Sequence, residues 1–325
     1  MLMITTCVIP VRGELNILRN KEIKLLHSGG TTSLEFMIAG KAIRALRSYW
    51  LHVPSSYDGS KAVPLVIVLH GLTDFSIDLL GFYHSFLMEN YTEFSEKADE
   101  EGFIVVYPSA KLLFATFKFC WDPGYYPALA FKFLDDIGFI HDLIDKMKEE
   151  YTINLSRIYV TGFSNGAILS YSLGAYLSDI IAAIAPIAGT IGQRGSENEP
   201  FYYIPTPKNH VSVITFHGTN DSSDVLYNGS STRASVNESI SFWVEQNGCN
   251  PIPEIYTSVS GKIIQRTYTN GKNGTEVVLY TTVGGNHWWP GNSFSDPNYP
   301  WLIDTIQEIS ATDLMWEFFE AHPKQ

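Results

Sequence analysis

The run Arg157-Ile-Tyr-Val-Thr-Gly-Phe-Ser-Asn-Gly-Ala-Ile-Leu-Ser170 constrains the fold more than any other stretch. It sets Gly162-Phe-Ser-Asn-Gly166 between two patterns of different period. Residues 158–161, β-branched or aromatic, favour a buried strand, whereas Ala167, Ile168, Leu169, Tyr171, Ser172 and Leu173 recur at helical spacing. A sharp strand-to-helix turn between them would hold Ser164 in a strained conformation with Oγ exposed. Glycine would be needed at 162 and 166, where a Cβ would crowd neighbouring backbone. Asn165, at the start of the helix, would then offer its backbone N–H to a developing oxyanion. Gly-x-Ser-x-Gly arises by chance in roughly one chain in ten of this length, so the strand-turn-helix setting carries the reading rather than the motif alone.

Strands alternating with helices surround this element. Residues 48–53 suit a strand ended by Pro54, and 64–70 form an apolar run without alternation, as in a strand buried on both faces of a parallel sheet. Further strands are expected at 103–107, 180–188, 211–216 and 276–281, with helices at 91–102, 136–151, 235–247 and after 310–313. The alternation implies an α/β chain with a doubly wound, mostly parallel sheet and helices on both faces. The 325 residues, 45% apolar, suffice for one large domain over 31–325, preceded by an extension or edge strand at 1–30. Residues 109–135 form a long connection rich in aromatics, including Phe114, Phe117, Phe119, Trp121, Tyr125, Tyr126, Phe131 and Phe133. Such length marks a functional segment, here a candidate lid.

Composition removes several classes. A net charge of −12 disfavours nucleic acid, anionic membrane surfaces and polyanionic substrates as partners. No apolar run approaches the ~18 residues of a membrane span. The N-terminal apolar stretch lacks a basic flank and is interrupted by Thr5 and Thr6, so it does not read as a signal peptide; the compartment stays open between cytoplasm and secretion. Cys7, Cys120 and Cys249 lack CxxC spacing, which argues against a structural zinc site, and one bridge from Cys120 to Cys249 stays open.

A serine is a poor nucleophile at neutral pH unless a histidine takes its proton and an acid orients that histidine. In the chain order serine, acid, histidine, Asp221 lies on the loop after the 211–216 strand and His287 on the loop after the next strand. All three loops would open on one edge of the sheet. Asp224 shares the loop of Asp221; an acid close to the strand end is held more rigidly, which favours Asp221. His70 and His217, each followed by Gly at a strand exit, rival His287, although such positions usually reflect local hydrogen bonding. His287 itself has a structural alternative, a ring stacked on Trp288 or Trp289. The backbone N–H of Leu72, with Gly71 and Thr73 beside it, would join that of Asn165 as an oxyanion donor.

These pieces resemble the esterases of carbohydrate esterase family 1 and the related polyhydroxybutyrate-depolymerase-like esterases, all α/β-hydrolases. The likeness runs from about 40 to 291. It rests on Leu65-Val-Ile-Val-Leu-His-Gly71, Glu101-Gly-Phe-Ile-Val-Val-Tyr-Pro108, Cys120-Trp121, Asp135-Asp-Ile-Gly-Phe-Ile140, the serine run, Ala183-Ile-Ala-Pro-Ile-Ala-Gly189, His217-Gly-Thr-Asn-Asp221, Asn247-Gly-Cys249 and Gly284-Gly-Asn-His-Trp-Trp-Pro-Gly291. The resemblance implies Ser164 as nucleophile, His287 as base and Asp221 as its partner. Two departures stand out. The segment after Asp221, Ser222-Ser-Asp-Val-Leu-Tyr227, is a residue longer than in similar proteins, which keeps Asp224 in contention. Asn270-Gly-Lys272 also stands where family members often carry a later cysteine, so Cys249 lacks that partner.

The resemblance implies a serine carboxylic ester hydrolase with no metal or organic cofactor and a small-molecule or polymer-linked ester as substrate. Feruloyl esters of plant polysaccharide are the first expectation, with Trp121, Trp288 and Thr73 at the substrate; polyesters or acetyl esters are the alternative. A binding protein on the same scaffold would typically lack a member of the constellation, and this chain keeps them all. Oligomeric state is not legible.

Overall fold

The computed structural model describes residues 23–26, 30–39, 45–74, 83–113, 118–127, 134–223, 225–293, 304 and 306–325. In chain order these begin with β1 (Ile23–Leu26), β2 (Gly30–Ala39), β3 (Ala45–Pro54), β4 (Val63–Leu69), β5 (Thr73–Asp74), α1 (Tyr83–Thr92) and α2 (Phe94–Glu101). They continue with β6 (Ile104–Pro108), β7 (Lys111–Leu113), β8 (Lys118–Cys120), α3 (Asp136–Glu150), β9 (Ile153–Phe163), α4 (Asn165–Tyr176) and β10 (Ala183–Ile187). The remainder is β11 (Gly192–Gln193), β12 (Tyr202–Tyr203), β13 (Ser212–Gly218), α5 (Val236–Asn247), β14 (Glu254–Thr257), β15 (Ile263–Tyr268), β16 (Val277–Thr282) and α6 (Ala311–Ala321).

The main sheet has 11 strands in the order β1-β2-β3-β6-β4-β9-β10-β13-β16-β15-β14. From β6 to β16 neighbouring strands are parallel, and antiparallel strands extend both edges. Alternation of side chains divides the strands between two cores. Leu65, Ile67, Leu69, Ile158 and Val160 pack with α3, α4 and α5, while Val66, Val68, Tyr159, Ile214 and Phe216 pack with α1, α2 and α6. Helices therefore cover both faces, as the apolar runs without alternation require. The sequence-based reading missed the antiparallel hairpin β14–β15, whose first strand is exposed throughout, Ile255 and Tyr256 included, and so lacks the long buried apolar run that marks the central strands.

Local chemistry sets the helix ends. Asp135 caps α3 by accepting from Gly138 N–H at 3.1 Å, and Ser235 and Glu238 form a capping box on α5, which stops at Gly248. The helix expected over 91–102 is broken at Glu93, which adopts φ 56°. Thr92 explains the break: its Oγ1 donates back to Met88 C=O at 2.6 Å, and its own C=O accepts from Thr312 Oγ1 on α6 at 2.5 Å. A carbonyl drawn toward another helix no longer propagates its own.

Because β4, β9, β10, β13 and β16 run parallel, their C-terminal ends and the loops that leave them share one edge of the sheet.

Candidate functional site

Ser164 joins β9 directly to α4, with φ 56° and ψ −116°, a conformation non-glycine residues avoid at a cost of about 1–3 kcal/mol. Surrounding structure enforces it: Ser164 N–H donates to Ile187 C=O on β10 at 2.9 Å, and its C=O accepts from Ala167 and Ile168 as the helix begins. The flanking glycines allow the approach. A Cβ on Gly162 would lie 2.6 Å from the Gly166 carbonyl, and one on Gly166 only 2.3 Å from Leu69 O and 2.5 Å from His70 O. The elbow is thereby pressed against the exit of β4.

The acid and base loops are stitched together by main-chain bonds. Thr219 N–H donates to Thr282 C=O at 3.0 Å and Asn220 N–H to Gly285 C=O at 2.9 Å. Across that seam His287 Nδ1 donates to Asp221 Oδ2 at 2.7 Å. The Asp221 carboxylate is buried, and burial alone would raise its pKa. Hydrogen bonds from His217 and His287, with Ser223 added, outweigh burial and hold it well below the usual carboxylate range. His217 Nε2–H donates to Val225 C=O at 2.8 Å and lies 3.3 Å from Asp221 Oδ2, so this histidine supports the acid rather than competing with His287. Ser223 holds Asp221 Oδ1 through its N–H at 2.9 Å, and its Oγ lies 3.1 Å from His287 Nδ1. Ser223 was not singled out from sequence; its only signal was its position in the lengthened loop. Asp224 lies outside the described residues.

The His287 ring packs on Phe163, centroids 4.8 Å apart, beside Ser164. Gly71 closes the other side, its missing Cβ 3.3 Å from Phe163 Cδ1 and 3.4 Å from Ser164 Cβ. With Nδ1 turned to Asp221, Nε2 is the ring's second nitrogen. Among the described residues no hydrogen bond joins Ser164 Oγ to His287, and such bonds are often long before a substrate is present.

His70 orients the peptide that bears the Leu72 N–H. Ala110 N–H donates to its Nε2 at 3.0 Å, so its hydrogen sits on Nδ1 and is donated to Gly71 C=O at 2.6 Å. In a trans peptide the Leu72 N–H then points the opposite way. Among the described residues neither the Leu72 nor the Asn165 amide donates to a protein acceptor. Trp121 braces both: its backbone N–H donates to Asn165 Oδ1 at 2.7 Å and its indole N–H to His70 C=O at 2.8 Å.

Trp121 and Trp288, expected to face a substrate, are both buried, and the indole of Trp121 serves as that brace. Thr73 is also buried, and among the described residues neither its Oγ1 nor Trp288 Nε1 has a hydrogen-bond partner. In the expected lid at 109–135, the described residues 109–113, 118–127 and 134–135 include the antiparallel strands β7 and β8, of which β8 also pairs with β5 and leads into Trp121. Phe114, Phe117, Phe131 and Phe133 lie outside the described residues. The bridge left open between Cys120 and Cys249 is absent: both are buried free thiols, pushed by burial up to about 12 and about 11 respectively. Among the described residues no group of His, Cys, Asp or Glu side chains is arranged to hold a metal, and no helix is long and apolar enough to cross a membrane.

A mostly parallel open sheet, covered on both faces and presenting serine, acid and histidine on loops of one edge, is the α/β-hydrolase fold. Acetyl xylan esterase from Aspergillus awamori shares it with a TM-score of 0.57 at 14% identity, over 88% of this chain and 99% of that one. Feruloyl esterase B of Piromyces equi is 28% identical over 246 residues, covering 72% of this chain and 41% of that protein. Poly(3-hydroxyalkanoate) depolymerase C of Paucimonas lemoignei is 27% identical over 267 residues, covering 74% of this chain and 58% of that protein. The chain thus spans about half the length of these curated relatives. No protein-family model matches the sequence.

Proposed function

We propose that this chain is a serine carboxylic ester hydrolase working through an acyl-enzyme. The observation that carries the reading is the 2.7 Å bond from His287 Nδ1 to a buried, ionised Asp221, beside a serine strained at φ 56°. Ser164 Oγ attacks the ester carbonyl carbon while its proton passes to His287 Nε2. Charge developing on the carbonyl oxygen is taken by the N–H groups of Leu72 and Asn165, with the positive end of α4 behind the second. Collapse expels the alcohol, which leaves with the proton from Nε2; water then repeats the sequence on the acyl-serine. Asp221 keeps the imidazole hydrogen on Nδ1 and balances the imidazolium.

For the substrate, similarity to a protein named feruloyl esterase B supports a hydroxycinnamoyl ester borne by plant polysaccharide. Similarity to a poly(3-hydroxyalkanoate) depolymerase supports a polyester as the second reading. Pre-steady-state hydrolysis of methyl ferulate and p-nitrophenyl acetate tests both layers. A product burst on both esters, lost in Ser164→Ala, is the expected result. Turnover of the acetate alone would refute the feruloyl assignment, release of oligomers from a polyester film would favour the second reading, and no serine-dependent turnover would refute the mechanism.

A further inference from the structure

The loop that carries the acid holds a second polar group against the base. Two interlocked turns shape it: Ser223 N–H donates to Asp221 Oδ1 at 2.9 Å, and Val225 N–H donates to Ser223 Oγ at 3.2 Å. A side-chain oxygen that accepts from the amide two residues on is ordinary loop chemistry. Val225 is itself fixed, since it is buried and its C=O accepts from His217 Nε2–H at 2.8 Å. The turn accounts for only part of the hydroxyl. A serine oxygen has two lone pairs, and an amide N–H can only donate, so the bond from Val225 fills one of them. Oγ also lies 3.1 Å from His287 Nδ1, 64 positions away in sequence, and there the second lone pair meets a donor.

The same Nδ1 lies 2.7 Å from Asp221 Oδ2. One ring hydrogen therefore faces two acceptors, a carboxylate at short range and a hydroxyl at longer range. The hydroxyl's own hydrogen is left for Asp221, whose carboxylate Ser223 helps to keep ionised. Base, hydroxyl and acid close a triangle, in which His287 reaches Asp221 both directly and through Ser223.

We propose that Ser223 is a positioning residue for the base: its Oγ is a second acceptor for the Nδ1 hydrogen, and it keeps the imidazole in the tautomer whose Nε2 is free to take the serine's proton. This role rests on the ester reading, because Ser223 acts through His287 and touches no reacting atom. It matters most where the acid fails. In Asp221→Asn the Ser223 N–H retains an acceptor when the amide oxygen occupies the Oδ1 place, and the amide nitrogen is then turned toward His287 Nδ1. An N–H facing Nδ1 drives the ring hydrogen to Nε2, and the ring can no longer act as base. Ser223 Oγ opposes that shift, since the lone pair left over by Val225 faces Nδ1 in either background.

The test reads tautomer and rate separately. At about pH 8.5, roughly two units above the usual histidine value, imidazoles are neutral and ring-nitrogen NMR of histidine-labelled protein distinguishes Nδ1–H from Nε2–H. The His287 signals are those that vanish in His287→Gln. Asp221→Asn should show both forms, and Asp221→Asn/Ser223→Ala the Nε2–H form alone. Hydrolysis of p-nitrophenyl acetate should follow the spectra. Ser223→Ala should lower kcat about three- to tenfold, the range for one neutral hydrogen bond, with KM little changed. Ser223→Thr, which keeps the hydroxyl, should restore kcat, and the double variant should fall about tenfold below Asp221→Asn. Should the double variant fail to fold, the single Ser223→Ala, at a half-buried loop position, carries the comparison with Ser223→Thr. A Ser223→Thr protein as slow as Ser223→Ala, or a loss lodged in KM, would reduce Ser223 to a turn former and overturn the proposal. Spectra and rates unchanged by Ser223→Ala in the Asp221→Asn background would overturn it as well. Absence of serine-dependent turnover on any ester, with the tautomer still governed by Ser223, would overturn the ester reading and leave the hydrogen-bond assignment standing.

Discussion

Gly166→Ala offers the most direct test of how the elbow serves the chemistry. The added Cβ would lie 2.3 Å from Leu69 O, 2.5 Å from His70 O and 2.7 Å from Leu69 C, all of them backbone atoms that no rotamer change relieves. Restoring an ordinary contact near 3.4 Å requires the start of α4 and the exit of β4 to part by about 1 Å. Those segments carry the two proposed oxyanion donors, Asn165 on one and Leu72 on the other. A 1 Å error in such positioning costs on the order of 10² in rate, and overpacking of this kind costs about 1–3 kcal/mol in stability. Gly261→Ala is the matched control: its φ is 75° and nothing lies within 4 Å of the new Cβ, so it carries backbone strain without displacing the site. The assay is burst kinetics with p-nitrophenyl acetate, in which the amplitude counts competent serines and the later slope gives turnover per serine. Gly166→Ala should lose about 10² in kcat per serine and Gly261→Ala should lose none. A folded Gly166→Ala protein turning over within threefold of normal would refute the close approach of the two segments as the basis of the oxyanion site.

Asp221→Asn should lower kcat on the order of 10⁴ by freeing the imidazole to take the wrong tautomer. Because Asp221 is held below the usual carboxylate range, its stabilising effect should be level in urea melts above about pH 5 and fade only as pH falls through ~3.9 and below. Asp122 behaves oppositely: burial, with the charges of Asp136 and Asp135, pushes it up to about 7, so stability should decline as pH rises from about 4 to about 7. Thermal melts across that range should show the decline flattened in Asp122→Asn. Trp121→Phe removes the indole N–H that holds His70 C=O, and kcat should fall about tenfold with KM little changed, alongside a net loss near 1 kcal/mol for the hydrogen bond; unchanged kcat in steady-state assays would refute the bracing role.

What sequence made legible follows from the range over which each signal acts. Ser164, Gly162 and Gly166 lie within one short run, so period change and glycine spacing sufficed to anticipate a turn whose missing Cβ atoms prove sterically necessary. Asp221 and His287 were reachable because parallel strands send their exits to one edge. The roles of His70, His217 and Ser223 depend on which nitrogen donates to which carbonyl, and no pattern of residue types encodes that. The tryptophans are hard to read for a related reason: an aromatic in a loop looks alike whether its ring faces a ligand or its N–H bolts two loops together, as that of Trp121 does. One departure noted in sequence has a geometric counterpart, since a Cβ at Gly271 would lie 2.8 Å from Cys249 Sγ, the place a partner cysteine would occupy. The split at Glu93 was invisible because its cause, Thr312, lies 220 residues from Thr92.

The strands that deliver serine, acid and histidine, β9, β13 and β16, stand almost side by side in the sheet and enter it in the order in which the chain is synthesised. A growing polypeptide can therefore form the elbow while the segment that supplies the base is still to be made. On the proposed mechanism, until residues 283–287 dock against 219–223 the serine would have no proton acceptor, and chains interrupted before that point would be chemically silent however well their earlier strands had folded. Hydrolytic competence would then report completion of the sheet, and its appearance during refolding would trail the burial of the central strands.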